Sequence, residues 1–363
     1  MHKKTLKIFL PFALCLIITF TASVNTFAAI SSTFYTYFIG GSTSFTDFKA
    51  AINKNLTNLK NTTTTTASLD LYAEKVSTGS SFTAPNDKKG VSESSSYTIQ
   101  GICYNTIGST TYTLISAYNN TGGDSAIFAT TNGTSYTKIN VSGQTGHFGG
   151  IASSGGYTYV ACTSYILRIS DSDLSTCLSK STGLTGNNNI TSQATLSQIS
   201  TLKLPSTVTA SFLAYETTTD LLWIGGFNES SSAYMYSYNG AAVDSASNNS
   251  TLSSYKHRMS IPSCSQGASF RDGKVIITRS YVRTPTSNSY VSEMYCYSSY
   301  STSGTTATLG SVTKKYMLPS MAEGVYLGAT YTYIVYESNS SEYYDGILRC
   351  THVLAAQTSS LYS

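Results

Sequence analysis

Five stretches of the chain repeat one pattern: a glycine or serine, a short apolar strand, a polar turn, then a second apolar strand ending near an aromatic residue. They are IQGICYNTIGSTTYTLISAY (99–118), GHFGGIASSGGYTYVAC (146–162), TASFLAYETTTDLLWIGGF (209–227), SQGASFRDGKVIITRSY (265–281) and MAEGVYLGATYTYIVYES (321–338). The anchors Gly101, Gly150, Ser211, Gly267 and Gly324 recur at roughly 50- to 60-residue intervals, the scale of one supersecondary unit stacked on its neighbours. A third strand follows each pair: SAIFATT (125–131), YILRIS (165–170), AYMYSYN (233–239), SEMYCYS (292–298) and DGILRCT (345–351). A fourth is legible in the first, third and fourth units, for instance YTKINV (136–141). Strand, turn, strand, loop, strand, turn, strand is the antiparallel blade of a β-propeller.

The chain therefore reads as all-β, a five-bladed β-propeller over residues 97–363, with six blades compatible with the uneven spacing. The last unit lacks a strand of its own, because only a Ser-rich tail is legible after Thr351. An N-terminal strand is expected to close the ring, from LDLYAEK (69–75) or from 98–104. Glycines in GHFGGIASSGGYTYVAC serve backbone crowding and a hairpin turn. A phosphate-cradling loop would need a helix after them, and a strand follows instead.

Ahead of the repeats, Lys3, Lys4 and Lys7 precede an apolar run from Ile8 to Phe20 and a small-residue stretch ending at Ala28-Ala29. That order is a signal peptide, residues 1–29, and it predicts a secreted, extracellular protein with no membrane span in the mature chain. The run is shorter than the roughly 20 residues of a spanning helix. Residues 30–96 form a Ser/Thr-rich segment with one short helix. Phe48, Ile52, Leu56 and Leu59 fall at helical spacing in SFTDFKAAINKNLTNLK (44–60), with Asp47 or Thr46 as cap. The stretches 61–68 and 77–96 are low-complexity linkers.

Composition narrows the function. Only 11% of residues are charged, 29 are Tyr, and the net charge of +4 is spread thinly. No basic block interleaves with aromatics, so nucleic acid is not an expected partner. Cys103, Cys162, Cys177, Cys264, Cys296 and Cys350 allow disulfides whose pairing sequence does not fix. None forms a CxxC pair, so structural roles are expected and no zinc, metal or other cofactor. Asp124 in NNTGGDS reads as a turn residue rather than a calcium ligand. His147, His257 and His352 lie in separate regions, and His257 reads as surface.

In a propeller the first strand of each blade lines the axis. Gln100, Gln266 and Glu323 stand at three blade starts, with Gly149 and Ala210 at the other two and His147 slightly upstream of Gly149, and these positions converge at the axis. Gln supplies donors and acceptors together, and a neutral His one of each, a set suited to a sugar. Tyr118, Tyr281 and Tyr290 are candidates for stacking on it, whereas Glu216 and Glu337 read as solvated.

The leading expectation is a monomer that binds an extracellular or cell-wall glycan at the channel mouth without catalysis. An alternative is a hydrolase or lyase with His147 and Glu323 as acid and base. Glycoside hydrolysis, however, needs two carboxyl groups, and only Glu323 occupies an axial position. A third possibility is a protein-binding adhesion module. The blade starts QGI (100–102), HFGGIA (147–152), LLWIGGF (221–227), QGASF (266–270) and MAEGV…YIVYES (321–338) also resemble a family of secreted bacterial β-propeller-like proteins. The resemblance covers roughly residues 97–345. It implies the propeller, export, and recurrence of the Gln, His and Glu positions, and it carries no substrate.

Overall fold

The computed structural model describes residues 35, 44–62, 69–89, 94–280, 292–343 and 349–363. The expected signal peptide, the stretch 63–68, Tyr281 and Tyr290 lie outside them.

Five β-sheets stand in a ring, each contributing its first strand to the axis. Blade 1 comprises Tyr97–Ile107, Thr110–Asn119, Ala126–Thr130 and Tyr136–Val141. Blade 2 comprises Ile151–Ser154, Tyr157–Cys162, Tyr165–Ser170 and Ser200–Lys203. Blade 3 comprises Phe212–Glu216, Leu221–Gly225, Ala233–Asn239 and His257–Ile261; blade 4, Ser265–Arg271, Lys274–Arg279, Ser292–Tyr297 and Val312–Leu318. Blade 5 has Ala322–Leu327, Tyr331–Tyr336 and His352–Gln357 from its own repeat. The fold is a five-bladed β-propeller, as the repeats predict. Inner strands of consecutive blades touch all the way round, the fifth against the first.

The third strand of blade 5 is HVLAAQ at 352–357, later than the expected 345–351, of which 345–348 lie outside the described residues. Its apolar residues Val353, Leu354, Ala355 and Ala356 are all buried, so the residues after Thr351 are core rather than tail. The closing strand is also different. Phe82–Thr83 pairs antiparallel with His352–Val353 at the edge of blade 5. Leu69–Leu71 does form a strand, but parallel to Val312–Leu318 on blade 4. The stretch after Ser77 is thus not a free linker: Ala84 and Asn86 are buried, and Asn189 clips them. Its side chain accepts from the Asn86 N–H and donates to the Ala84 carbonyl, each at 2.9 Å. Asn189→Ala would remove both of these hydrogen bonds at a buried site. It is expected to cost about 1–3 kcal/mol, read as a lower urea midpoint.

Two further excursions stitch the ring. Strands Thr182–Gly183 and Ile190–Leu196, inserted in the blade 2 repeat, extend blade 1, and Tyr300–Ser303 and Thr306–Leu309, inserted in the blade 4 repeat, extend blade 3. These insertions lengthen the blade 2 and blade 4 repeats. The core is correspondingly divided into five apolar clusters, one between each pair of adjacent blades. A strand such as Leu221–Gly225 is buried at every residue because a neighbouring blade covers each face. Asp272 and Gly273, both at positive φ, make the two-residue turn that joins the first strands of blade 4.

The N-terminal helix spans Phe45–Thr62. Ser44 caps it, accepting from the Asp47 N–H at 3.2 Å while its hydroxyl donates to the Asp47 carboxylate at 2.8 Å, so the cap lies upstream of the expected Thr46 or Asp47. Phe48 and Ile52 seat it in the cluster between blades 4 and 5; the side chains of Leu56 and Leu59 lie outside the described residues. All six cysteines from Cys103 to Cys350 are buried as unpaired thiols. No helix among the described residues is long and apolar enough to cross a membrane.

Candidate functional site

The five inner strands approach closely enough that backbone meets backbone at Gly101, Gly150, Gly267 and Gly324. This glycine collar separates two openings on the axis. At the ends of the inner strands is a cavity of about 120 Å³ whose wall includes Tyr104, Ser153, Tyr215, Arg271 and Tyr326, with Tyr104 stacked on Tyr326 at 4.8 Å. At their starts is a larger one, about 380 Å³, where three of the four residues singled out from sequence, Gln100, His147 and Gln266, come together.

Gln100, His147 and Gln266 line this larger cavity, with Tyr118, Phe227 and Tyr343 as its aromatic walls and Ser211, Ser280 and Met321 between them. The placement has a local cause. Strand pairing slips at Ile99/Gly101 in blade 1 and at Ser265/Gly267 in blade 4, leaving Gln100 and Gln266 in β-bulges. It slips again between Ala322 and Val325 in blade 5, around Glu323 and Gly324. A bulge kinks the strand and re-aims the extra side chain. Cys264 and Met321, each just before an inner strand, hold positive φ without being glycine, a conformation that costs about 1–3 kcal/mol.

Gln100 is buried, and its amide donates to the Ile99 carbonyl at 3.2 Å and to the Glu337 carboxylate. Glu323 lies buried behind Glu337 and hydrogen-bonds with it, off the cavity wall, with its Oε1 unpaired. Burial, then the neighbouring Glu337 charge, pushes the Glu323 carboxyl well above the usual carboxylate range. Glu337, expected to be solvated, is buried and lines the cavity. Glu216, expected likewise, is buried on blade 3, accepting from Tyr300, Thr219 and the Trp223 indole N–H at 2.5, 2.7 and 3.4 Å.

His147 is open to solvent yet stands within the concave mouth, its ring 5.1 Å from that of Tyr118. The surrounding protein disfavours its charged form and lowers its pKa, against an opposing pull from Glu342. Glu342 in turn accepts from the Tyr118 hydroxyl at 2.6 Å, which fixes the tyrosine at the wall. One carboxylate residue, Glu229, lies exposed on the rim. Elsewhere, Asp124 accepts from the Gly143 N–H at 3.2 Å as a loop tie. His257 begins the fourth strand of blade 3 with its Nδ1 3.0 Å from the Gly304 carbonyl, and His352 lies on blade 5 beside Thr83; neither joins the cavity.

Sequence reasoning missed Glu337, Phe227 and Tyr343. Glu337 directly follows the second strand of its blade, and a 3₁₀ turn (Glu337–Asn339) folds it back beneath the axis. No periodicity in the sequence announces that.

No protein-family model matches the chain, and no curated protein matches it. Solved structures do. The Dos1 propeller matches with a TM-score of 0.32 at 10% identity, over 67% of this chain and 56% of that one. This chain thus spans little more than half of it. A mutant of Aleuria aurantia lectin in complex with alpha-methyl-L-fucoside matches with a TM-score of 0.33 at 10% identity, over 66% and 71%. A structural genomics protein of unknown function from Bacteroides thetaiotaomicron matches with a TM-score of 0.35 at 9% identity, over 76% and 73%. At this level of likeness nothing about function transfers.

Proposed function

We propose that this protein is exported through residues 1–29 and binds a carbohydrate, without catalysis, in the cavity at the starts of the inner strands. The observation that carries the reading is the shared bulge: blades 1 and 4 break register at the same point and place Gln100 and Gln266 in one cavity. The Gln266 carboxamide offers donors and acceptors, Gln100, whose N–H groups are taken by the Ile99 carbonyl and Glu337, offers an acceptor, and the lowered pKa of His147 favours its neutral imidazole, with one of each. Tyr118, Phe227 and Tyr343 supply apolar ring faces beside them. The cavity falls within the roughly 300–1,000 Å³ of small-molecule sites.

The geometry speaks against hydrolysis by Glu323 and His147. Glycosidase carboxyls stand roughly 5–10 Å apart across the sugar, whereas Glu323 is sealed behind Glu337 and bonded to it. An adhesion module would present a broad apolar patch. Among the described residues only Tyr234 and Tyr255 are large apolar side chains standing exposed.

A glycan array identifies the ligand, and calorimetric titration measures it. Gln266→Ala and His147→Ala are each expected to weaken binding roughly threefold to tenfold, the worth of one or two neutral hydrogen bonds. Wild-type binding should hold at neutral and alkaline pH and weaken as acidification protonates His147, at a lower pH than for a free imidazole. A folded protein that binds no glycan removes this reading.

A further inference from the structure

The two exposed tyrosines belong to one feature on the flank of blade 3. Tyr234, Tyr236 and Tyr238 alternate along Ala233–Asn239 and so share a face. Rings step outward from Tyr255 to Tyr236 at 5.1 Å and on to Tyr234 at 6.4 Å. At its inner end this run opens into a groove of about 560 Å³ lined by Tyr238, Asn239, Thr251, Ser253, Tyr255 and Lys256. Tyr238 is 3% exposed, and its hydroxyl has no hydrogen-bond partner. A buried hydroxyl left unpaired costs about 1–3 kcal/mol, and the side chain that carries it lines this groove.

The chemistry of the wall narrows the ligand it suits. Hydroxyls, an amide and ring faces suit sugars, while an elongated run of rings suits a chain rather than a single unit. No carboxylate residue lines the groove, whereas Lys256 does, and the Arg258 guanidinium lies 4.7 Å from the Tyr234 ring centre. We infer that this flank is a second binding site, for an extended polysaccharide bearing acidic groups, apart from the axial mouth. Tyr255, Tyr236 and Tyr234 would take its sugar rings, Tyr238 and Asn239 its hydroxyls, and Lys256 and Arg258 its carboxylates.

Polygalacturonate, with a neutral galactan as comparison, is the probe for the full chain. Wild type is expected to bind polygalacturonate more tightly than galactan, with affinity falling as salt rises. The double variant Tyr234→Ala, Tyr255→Ala should weaken it tenfold or more, while a Gln266→Ala variant leaves it unchanged. Tyr238→Phe keeps the packing and removes only the hydroxyl, so it should unfold at the wild-type temperature or above yet bind polygalacturonate more weakly. The inference is overturned if polygalacturonate does not bind, if galactan binds equally well, or if the tyrosine variants bind as wild type. Loss in Gln266→Ala alone would place the polymer at the axis, overturning the flank site and leaving the axial reading intact.

Discussion

Gly101→Ala is expected to unfold the propeller or bring it to the edge of unfolding. A Cβ there would lie 2.5 Å from the Ile151 nitrogen, 2.7 Å from the Gly150 Cα and 2.8 Å from the Ser116 Oγ. Two of the three are backbone atoms of the next blade, and a rotamer change does not move backbone. The other side is closed as well, because Gly324 of blade 5 packs its own backbone against the Gly101 Cα. In an open sheet the strands would part by a few tenths of an ångström, but in a closed ring each displacement passes to the next blade. Overpacking in ordinary cores costs about 1–3 kcal/mol; here roughly 3–5 is expected, against the 5–15 that holds a typical domain. Gly155→Ala is the control, because nothing lies within 4 Å of its added carbon. Urea unfolding of the two variants checks this, and a Gly101→Ala midpoint equal to that of the control would contradict the collar.

The second large effect runs opposite to that of a carboxylate held ionised by a cation or by hydrogen-bond donors. Burial and the adjacent Glu337 charge raise the Glu323 carboxyl well above its ordinary range, so the folded protein keeps a proton that the unfolded chain gives up. Stability from this group is complete below the unfolded value near 4.3 and is lost as the pH rises through the folded value. Wild type should therefore weaken from mildly acidic to alkaline pH. Glu323→Gln holds the shape of the protonated acid and has no proton to lose. It is expected to be more stable than wild type at pH 8 by about 1–3 kcal/mol, the scale of a buried polar mismatch, and to flatten the slope. Thermal unfolding across pH 5 to 9 measures it. A variant less stable at every pH would mean that the carboxylate form is the one the fold requires.

The features legible in the sequence are those that depend on local pattern. Alternating apolar residues marked the hairpins, and YILRIS (165–170), AYMYSYN (233–239) and YTKINV (136–141) are strands over those same residues. Ring closure then did the rest: Gln100, His147 and Gln266 are far apart in sequence, yet equivalent places in a circular repeat must meet at the axis. Tyr118, a stacking candidate from sequence, forms a wall of the mouth. What escaped notice was non-local or too short to carry a period. Phe82–Thr83 closes the ring with two residues, and Ser200–Lys203 completes blade 2 with four. Glu337 enters the site through a single turn after its strand. The flank groove arises where Tyr238 is buried but its hydroxyl is not paired, a mismatch that no sequence pattern encodes.

The axial mouth is tested most directly by a crystal structure of the protein soaked with the sugar that binds most tightly on the array. The expected result is density for that sugar between Gln100, Gln266 and His147, with a ring face on Tyr118, Phe227 or Tyr343. A bound sugar found only elsewhere, with the axial cavity holding solvent, would contradict the assignment of this cavity as the binding site.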